Sequence, residues 1–231
     1  MSFRRDDLYI QEEILLLALK DEKGTFYMRT ILPALGGAIA AELLLAGKIE
    51  VEQDRKKMVN VVSRQSLGDP LLDEALNKIA TAKRRATLQT WIQRFSRFPK
   101  LQHRIAQGLC RKSVLRQDEQ QILLFFRQKR YPELDHGAEQ LLIGRLHDAI
   151  FGESLEIEPR TVVLIALAKA TDLLSIPFPR KELNSHKKRI KNIVDGDLIG
   201  TATKEAIEAV HAAIAAAAIV PIIAASSVSS S

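Results

Sequence analysis

Asp69, Asp73 and Glu74 form the one carboxylate cluster whose spacing invites a chemical role. Asp69 and Asp73 stand about one helical turn apart at the start of a helix, where two carboxylates could bridge a divalent cation. Capping and compensation of the helix dipole use the same residues with no ligand at all, and that is the reading preferred here. The histidines, His103, His136, His147, His186 and His211, are scattered, with no HExxH pair or comparable ligand spacing. Cys110 stands beside Leu109 on an amphipathic stretch and reads as a buried, inert thiol, although Arg111 and Lys112 would lower the pKa of an exposed one. No GxSxG elbow occurs, and Gly36–Gly37 lacks the surroundings of a phosphate loop; close approach of two helices explains that pair better. The sequence therefore reads as a non-enzyme, with neither a metal site nor a cofactor.

Charge is the stronger signal. The 231 residues carry 34 Lys and Arg against 28 Asp and Glu, a formal net charge of +6. Residues 75–117 contain no acid. They contain Lys78, Lys83, Arg84, Arg85, Arg94, Arg97, Lys100, Arg104, Arg111, Lys112 and Arg116, which is 11 positive charges and leaves −5 for the rest of the chain. A second cluster, Arg180, Lys181, Lys187, Lys188, Arg189 and Lys191, is opposed only by Glu182. Solvated helix faces usually mix signs, so a run this long points to a polyanionic partner, a nucleic acid or an anionic membrane.

The elements that must carry these residues are mostly helical. Apolar periodicity and boundary residues predict helices over residues 8–19, 31–45, 71–95 (with a break allowed), 100–111, 137–150, 159–174, 181–194 and 201–218. Gly47 ends the second of them, and Asp69–Pro70 begins the third as N-cap and first helical residue. Glu12 and Glu13 fall early in the first helix, where the dipole favours acids. Alternating patterns predict one β-hairpin from strands 48–52 and 58–63 and a second from strands 122–126 and 129–133. The fold class expected is mainly α: a single globular helical domain with two short hairpins, one protruding. The N-terminal stretch carries acids within its apolar run, unlike a signal peptide, and the Ala-rich run 212–225, interrupted by Pro221, is too short to span a bilayer.

Two binding modes fit a helix–helix–hairpin beginning with a basic segment behind it. A winged helix on DNA would need base-reading side chains on helix 31–45, which offers only Glu42 among its charged residues. An anionic membrane surface asks for Lys and Arg near the bilayer and for insertable aromatics. Phe125 and Phe126, followed by Arg127, Lys129, Arg130 and Tyr131, meet that demand better. Core or dimer contact is an equal use for one of the two phenylalanines, because alternation sends them to opposite faces.

Seven separated blocks carry a family resemblance: LYIQEEILLLALKDEKGT (8–25), AAELLLAGKIEVE (40–52), GDPLLDEALNKI (68–79), LQTWIQRF (88–95), RIAQGLCRKSVLR (104–116), LLFFRQKRYPE (123–133) and PRTVVLIALAKATDLL (159–174). In order and spacing they resemble the Golgi phosphoprotein 3 family, and the resemblance runs from about residue 3 to residue 220. It implies a mainly helical domain with a protruding hairpin. It also implies a non-catalytic peripheral membrane protein: the eukaryotic members bind phosphatidylinositol 4-phosphate and tether the cytosolic tails of glycosyltransferases. The short N-terminus and Ala-rich end look more like the bacterial branch.

Transferred residue by residue, the resemblance puts Tyr27 at the family's headgroup-stacking position. Three family charges fall instead on Gly36, Pro99 and Gln102. Arg29, Arg97, Lys100 and Arg104 are then the basic residues placed to contact a headgroup, and Phe125, Phe126, Arg127, Lys129, Arg130 and Tyr131 form the membrane-contacting or oligomer-forming hairpin. The expectation is a cytoplasmic protein bound peripherally to a membrane, with a domain over residues 3–222 and a disordered tail over 223–231. Its expected partners are anionic phospholipids, the cytosolic tails of membrane proteins and a second copy through hairpin 122–133. The alternative is a nucleic-acid-binding protein that sets the 75–117 stretch against phosphates.

Overall fold

Leucine, isoleucine and alanine at helical spacing build two central helices, and the remaining elements wrap around them. The computed structural model describes residues 8–20, 25–26, 31–52, 55–122, 126–134 and 136–198. In chain order the elements are α1 (Ile10–Leu17), β1 (Leu19–Lys20), β2 (Thr25–Phe26), α2 (Leu32–Leu45), β3 (Ile49–Val51), β4 (Val59–Val61), α3 (Pro70–Ala80), α4 (Leu88–Ser96) and α5 (Leu101–Arg111). They continue with β5 (Asp118–Ile122), β6 (Phe126–Arg130), α6 (Gly137–Phe151), α7 (Pro159–Ala170), a 3-10 turn (Leu173–Ser175), α8 (Arg180–Ser185) and α9 (Lys187–Asp195). The domain is mainly α, and among the described residues its strands pair only as antiparallel two-stranded ribbons, β1 with β2, β3 with β4 and β5 with β6. The expected helix 201–218 and the tail 223–231 lie outside the described residues.

Helix α2 packs on α1, α4 and α7, and Pro33 through Leu44 are all buried. Gly36 lets α4 come close: a β-carbon there would stand 2.5 Å from the Ile92 carbonyl oxygen and 2.9 Å from the Ser96 nitrogen. The helix ends in a Schellman turn, in which the Gly47 N–H bonds Leu44 O and the Lys48 N–H bonds Leu43 O, each at 2.9 Å. Gly47 takes φ +61, a value that costs glycine little and other residues more.

Residues 71–95, read as one interrupted helix, are α3 and α4. Asp69 caps α3 by accepting the Leu71 and Leu72 N–H groups at 2.9 Å each. The interruption has a tertiary cause: the Val59 N–H bonds Ala86 O at 3.0 Å and Met58 bridges Thr87, so the backbone before α4 serves β4. The Thr87 hydroxyl then caps α4 through the Thr90 N–H at 3.3 Å.

Every residue of α1 is buried, including Gln11, Glu12 and Glu13. Glu13 meets Arg145 of α6 at 2.5 Å and stands 4.0 Å from Arg160 Nε of α7. Arg160 bonds Glu42 at 2.6 Å and the Leu8 carbonyl at 2.5 Å, while Glu12 accepts from Lys112 at 2.5 Å and from the Tyr9 N–H at 2.8 Å. Burial, the largest influence, pushes both Glu12 and Glu13 above the ordinary glutamate value of 4.5 despite these cations. A folded pKa above the unfolded one means that the stability each group contributes is fully present below 4.5 and is lost as pH rises through the folded value. Thermal melts taken from neutral pH down toward 4.5 should therefore show a stabilising slope that is smaller in Glu13→Gln. Equal slopes for the two proteins would contradict this.

Candidate functional site

Helices α3, α4 and α5 present the basic stretch, and much of it is neutralised by acids from other elements. Glu74 on α3 takes Arg104 at 2.5 Å and Lys78 at 3.7 Å, with both cations also over the Phe98 ring, at 5.8 Å and 5.4 Å. Arg85 pairs with Glu52, Lys112 with Glu12, and Arg116 with Asp118. Arg94 lies over the ring of the buried Trp91 at 4.5 Å. Lys83, Arg84, Arg97, Lys100 and Arg111 remain exposed, with no ion partner among the described residues.

Arg97 and Lys100 occupy the connection between α4 and α5. Phe98 between them is buried, edge-on to Phe95 at 5.5 Å between ring centroids, and pins that connection to the core. Lys100 sits at φ +53 in the left-handed region just before α5 begins. The tethered loop thus holds two uncompensated cations outward with little freedom to retract.

Of the residues expected to contact a headgroup, the structure brings out Arg97 and Lys100 together and turns Arg104 aside onto Glu74. Tyr27, Arg29 and Phe125 lie outside the described residues. The second hairpin is set earlier than its hydropathy suggests: β5 and β6 pair Asp118 with Arg130 through Ile122 with Phe126. The strand takes in the polar run DEQQ, because a two-stranded ribbon needs backbone pairing rather than an apolar face. The register places Phe126 at the turn end of β6 and Arg127, Lys129 and Arg130 along it.

Tyr131 corrects the expectation placed on it. Its side chain is fully buried, with the hydroxyl 3.2 Å from His103 Nδ1, so it anchors the base of the hairpin to α5 and offers no ring to a lipid. The Arg116 N–H to Pro132 O and Leu134 N–H to Val114 O bonds, 2.9 Å and 3.0 Å, close the same base.

The carboxylate cluster is fully occupied. Asp69 is a cap, Asp73 accepts from the Ser66 hydroxyl at 2.5 Å and the Leu67 N–H at 2.8 Å, and Glu74 holds Arg104. Burial raises the Cys110 thiol, outweighing the lowering by Arg111, so the sulfur stays protonated at neutral pH. One grouping escaped the sequence: Glu133, His136 and Glu139, three residues apart at the start of α6, bring ligand atoms within 4.8 Å of one another. The ExxHxxE spacing is its only sequence signal. His136 Nδ1 is 2.8 Å from Glu133, a contact that satisfies both without an ion.

The family model of Golgi phosphoprotein 3 (GPP34) matches residues 10–210. The chain belongs to the Golgi phosphoprotein 3 family. Vacuolar protein sorting-associated protein 74 of Eremothecium gossypii is 27% identical to it over 205 residues, covering 74% of this chain and 61% of the relative. The chain thus spans about three-fifths of the length of that curated relative. As a member of the Golgi phosphoprotein 3 family it departs from the expected pocket at Gly36, where the α4 backbone leaves no room for an arginine or for any other side chain. Among the described residues no helix is long and apolar enough to cross a membrane.

Proposed function

We propose that this member of the Golgi phosphoprotein 3 family is a non-catalytic adaptor that docks peripherally on anionic phospholipid through the α4–α5 connection and hairpin β5–β6. The observation that carries this reading is the pair of exposed, unpartnered cations, Arg97 and Lys100, on a loop pinned by Phe98, beside a stretch whose other charges are mostly spent inside the fold. Phe125 and Phe126 supply apolar insertion, and Arg127, Lys129 and Arg130 supply charge on the adjoining strand. Golgi association, phosphoinositide recognition and the capture of cytosolic tails follow from the family alone. The loss of a charge at Gly36 favours general anionic-lipid binding over selection of one phosphate position. The burial of α2, the helix a winged-helix protein would lay in the DNA groove, weighs against nucleic acid.

The paired variant Arg97→Ala with Lys100→Ala tests the reading. At about 1 kcal/mol per cation near the surface, partitioning onto anionic vesicles should fall about thirtyfold with the melting temperature unchanged. Phe125→Asp with Phe126→Asp should weaken vesicle binding further or change oligomer size. Unaltered partitioning in both variants would refute the proposal.

A further inference from the structure

The second basic cluster of the sequence plays no part in the membrane-docking surface, and it borders a cleft of its own. Residues 180–191 carry six cations and one acid, Glu182. Three of the six are spent within the fold. Arg180 pairs with Asp172 at 2.5 Å, Arg189 donates to the Ala149 and Ser154 carbonyl oxygens at 2.9 Å and 2.8 Å, and Lys191 pairs with Asp195. Lys181, Lys187 and Lys188 are exposed with no ion partner among the described residues, and so is Lys169 in the last turn of α7.

The cleft, about 270 Å³, lies between the end of α7, the 3-10 turn, α8 and the first turn of α9. Leu174, Leu183 and Ile190 give it an aliphatic floor, and Leu174 and Ile190 are 4% and 5% exposed, so that floor is continuous with the core. The polar lining consists of Lys169, Lys187, Asn184 and the Arg180–Asp172 pair. Asp172 is the one carboxylate among them and is already taken by Arg180, so Lys169 and Lys187 stand at the cleft uncompensated. Glu182 does not line it.

An occupant must therefore carry negative charge beside an apolar group small enough to enter. Pockets for whole small molecules run to about 300–1,000 Å³, so this cleft suits one large side chain rather than a cofactor. A nucleic acid would bring phosphates, but the lining has no aromatic ring on which a base could stack. A bilayer surface would neutralise the lysines and leave the recessed aliphatic floor unfilled. A peptide with Asp or Glu on either side of an apolar residue meets both demands. Its apolar side chain buries as an anchor, and its carboxylates meet the long, flexible lysines at the rim.

We propose that this cleft docks a short acidic segment of a partner protein, with one apolar side chain seated on Leu174, Leu183 and Ile190 and neighbouring carboxylates paired with Lys169 and Lys187. The site shares no residue with the α4–α5 connection or with hairpin β5–β6, so it stands independently of the membrane-docking reading.

Binding of the full chain to an array of octapeptides tests it. Each peptide carries one central Leu, Ile, Met or Phe among Asp and Glu, and two control sets replace either the central residue or the acids by Ser. Acidic peptides with an apolar centre should be retained at least tenfold more tightly than either control, and less so as salt rises. Lys169→Ala with Lys187→Ala, two exposed changes that keep the fold, should weaken that retention at least tenfold. Arg97→Ala with Lys100→Ala should leave it unchanged. No retention above the controls, equal retention of the Ser-centred acidic peptides, or retention unaltered in the Lys169→Ala, Lys187→Ala variant would overturn the proposal. Should that variant instead lose binding to anionic vesicles or duplex DNA while its peptide binding persists, the face serves a lipid or a nucleic acid and the proposal falls.

Discussion

Arg145→Ala should be among the most damaging single substitutions in this protein, with a loss of about 3–5 kcal/mol in chemical denaturation. Arg145 and Glu13 are 6% and 4% exposed at their side chains, so removing the arginine strands a carboxylate in the core. Arg160 offers little rescue, since its Nε is 4.0 Å from Glu13 and its other nitrogens serve Glu42 and Leu8. The pairing itself is incomplete: Glu13 Oε2, Arg145 Nε and Arg160 Nε lack hydrogen-bond partners among the described residues. An incompletely satisfied buried pair gains little over a well-packed apolar one. The double variant Glu13→Met with Arg145→Met should therefore recover most of the loss. A double variant no more stable than Arg145→Ala would show that the pair contributes far more than its geometry implies.

Gly36→Ala carries the second large effect. The added β-carbon would stand 2.5 Å and 2.9 Å from backbone atoms of α4 and 3.2 Å from the Ser96 β-carbon. Backbone cannot rotate away as a side-chain tip can, so α2 and α4 must separate along their contact. Overpacking of this kind costs about 1–3 kcal/mol or more. Gly144→Ala provides the internal control: it lies within α6, is exposed, and a β-carbon there meets nothing within 4 Å. That change should be neutral or stabilising by about 0.5–1 kcal/mol, because alanine loses less backbone entropy in a helix. Equal melting temperatures for the two variants would remove the close approach from the account of the fold.

These two sites also show what was legible in the sequence. Asp69–Pro70 and Gly47 mark helix ends by local chemistry, and both ends stand where they were read. Gly36–Gly37 signalled close helix packing for the same local reason. Glu12 and Glu13 read as dipole-compensating acids because their partners Lys112, Arg145 and Arg160 lie about a hundred residues or more away, beyond any periodicity. Long-range pairing also explains why an acid-free run of 11 cations overstated the free charge: Glu12, Glu52 and Glu74 return to it in the folded chain. Tyr131 looked like part of an aromatic-basic surface patch, and only its full burial against His103 reveals that the hairpin base is folded inward. The free charge of the stretch thus shrinks to Lys83, Arg84, Arg97, Lys100 and Arg111, and the candidate membrane surface to the loop carrying Arg97 and Lys100 together with strand β6.

The central claim is that this loop and strand attach the protein to anionic lipid. Flotation of the full chain with phosphatidylcholine vesicles, with and without anionic phospholipid, at moderate salt tests it most directly. We expect co-flotation only with the anionic vesicles, falling as salt rises and about thirtyfold weaker in the Arg97→Ala, Lys100→Ala variant. Absence from anionic vesicles together with tight, salt-sensitive retention on duplex DNA would contradict the account and restore the nucleic-acid reading of the basic stretch.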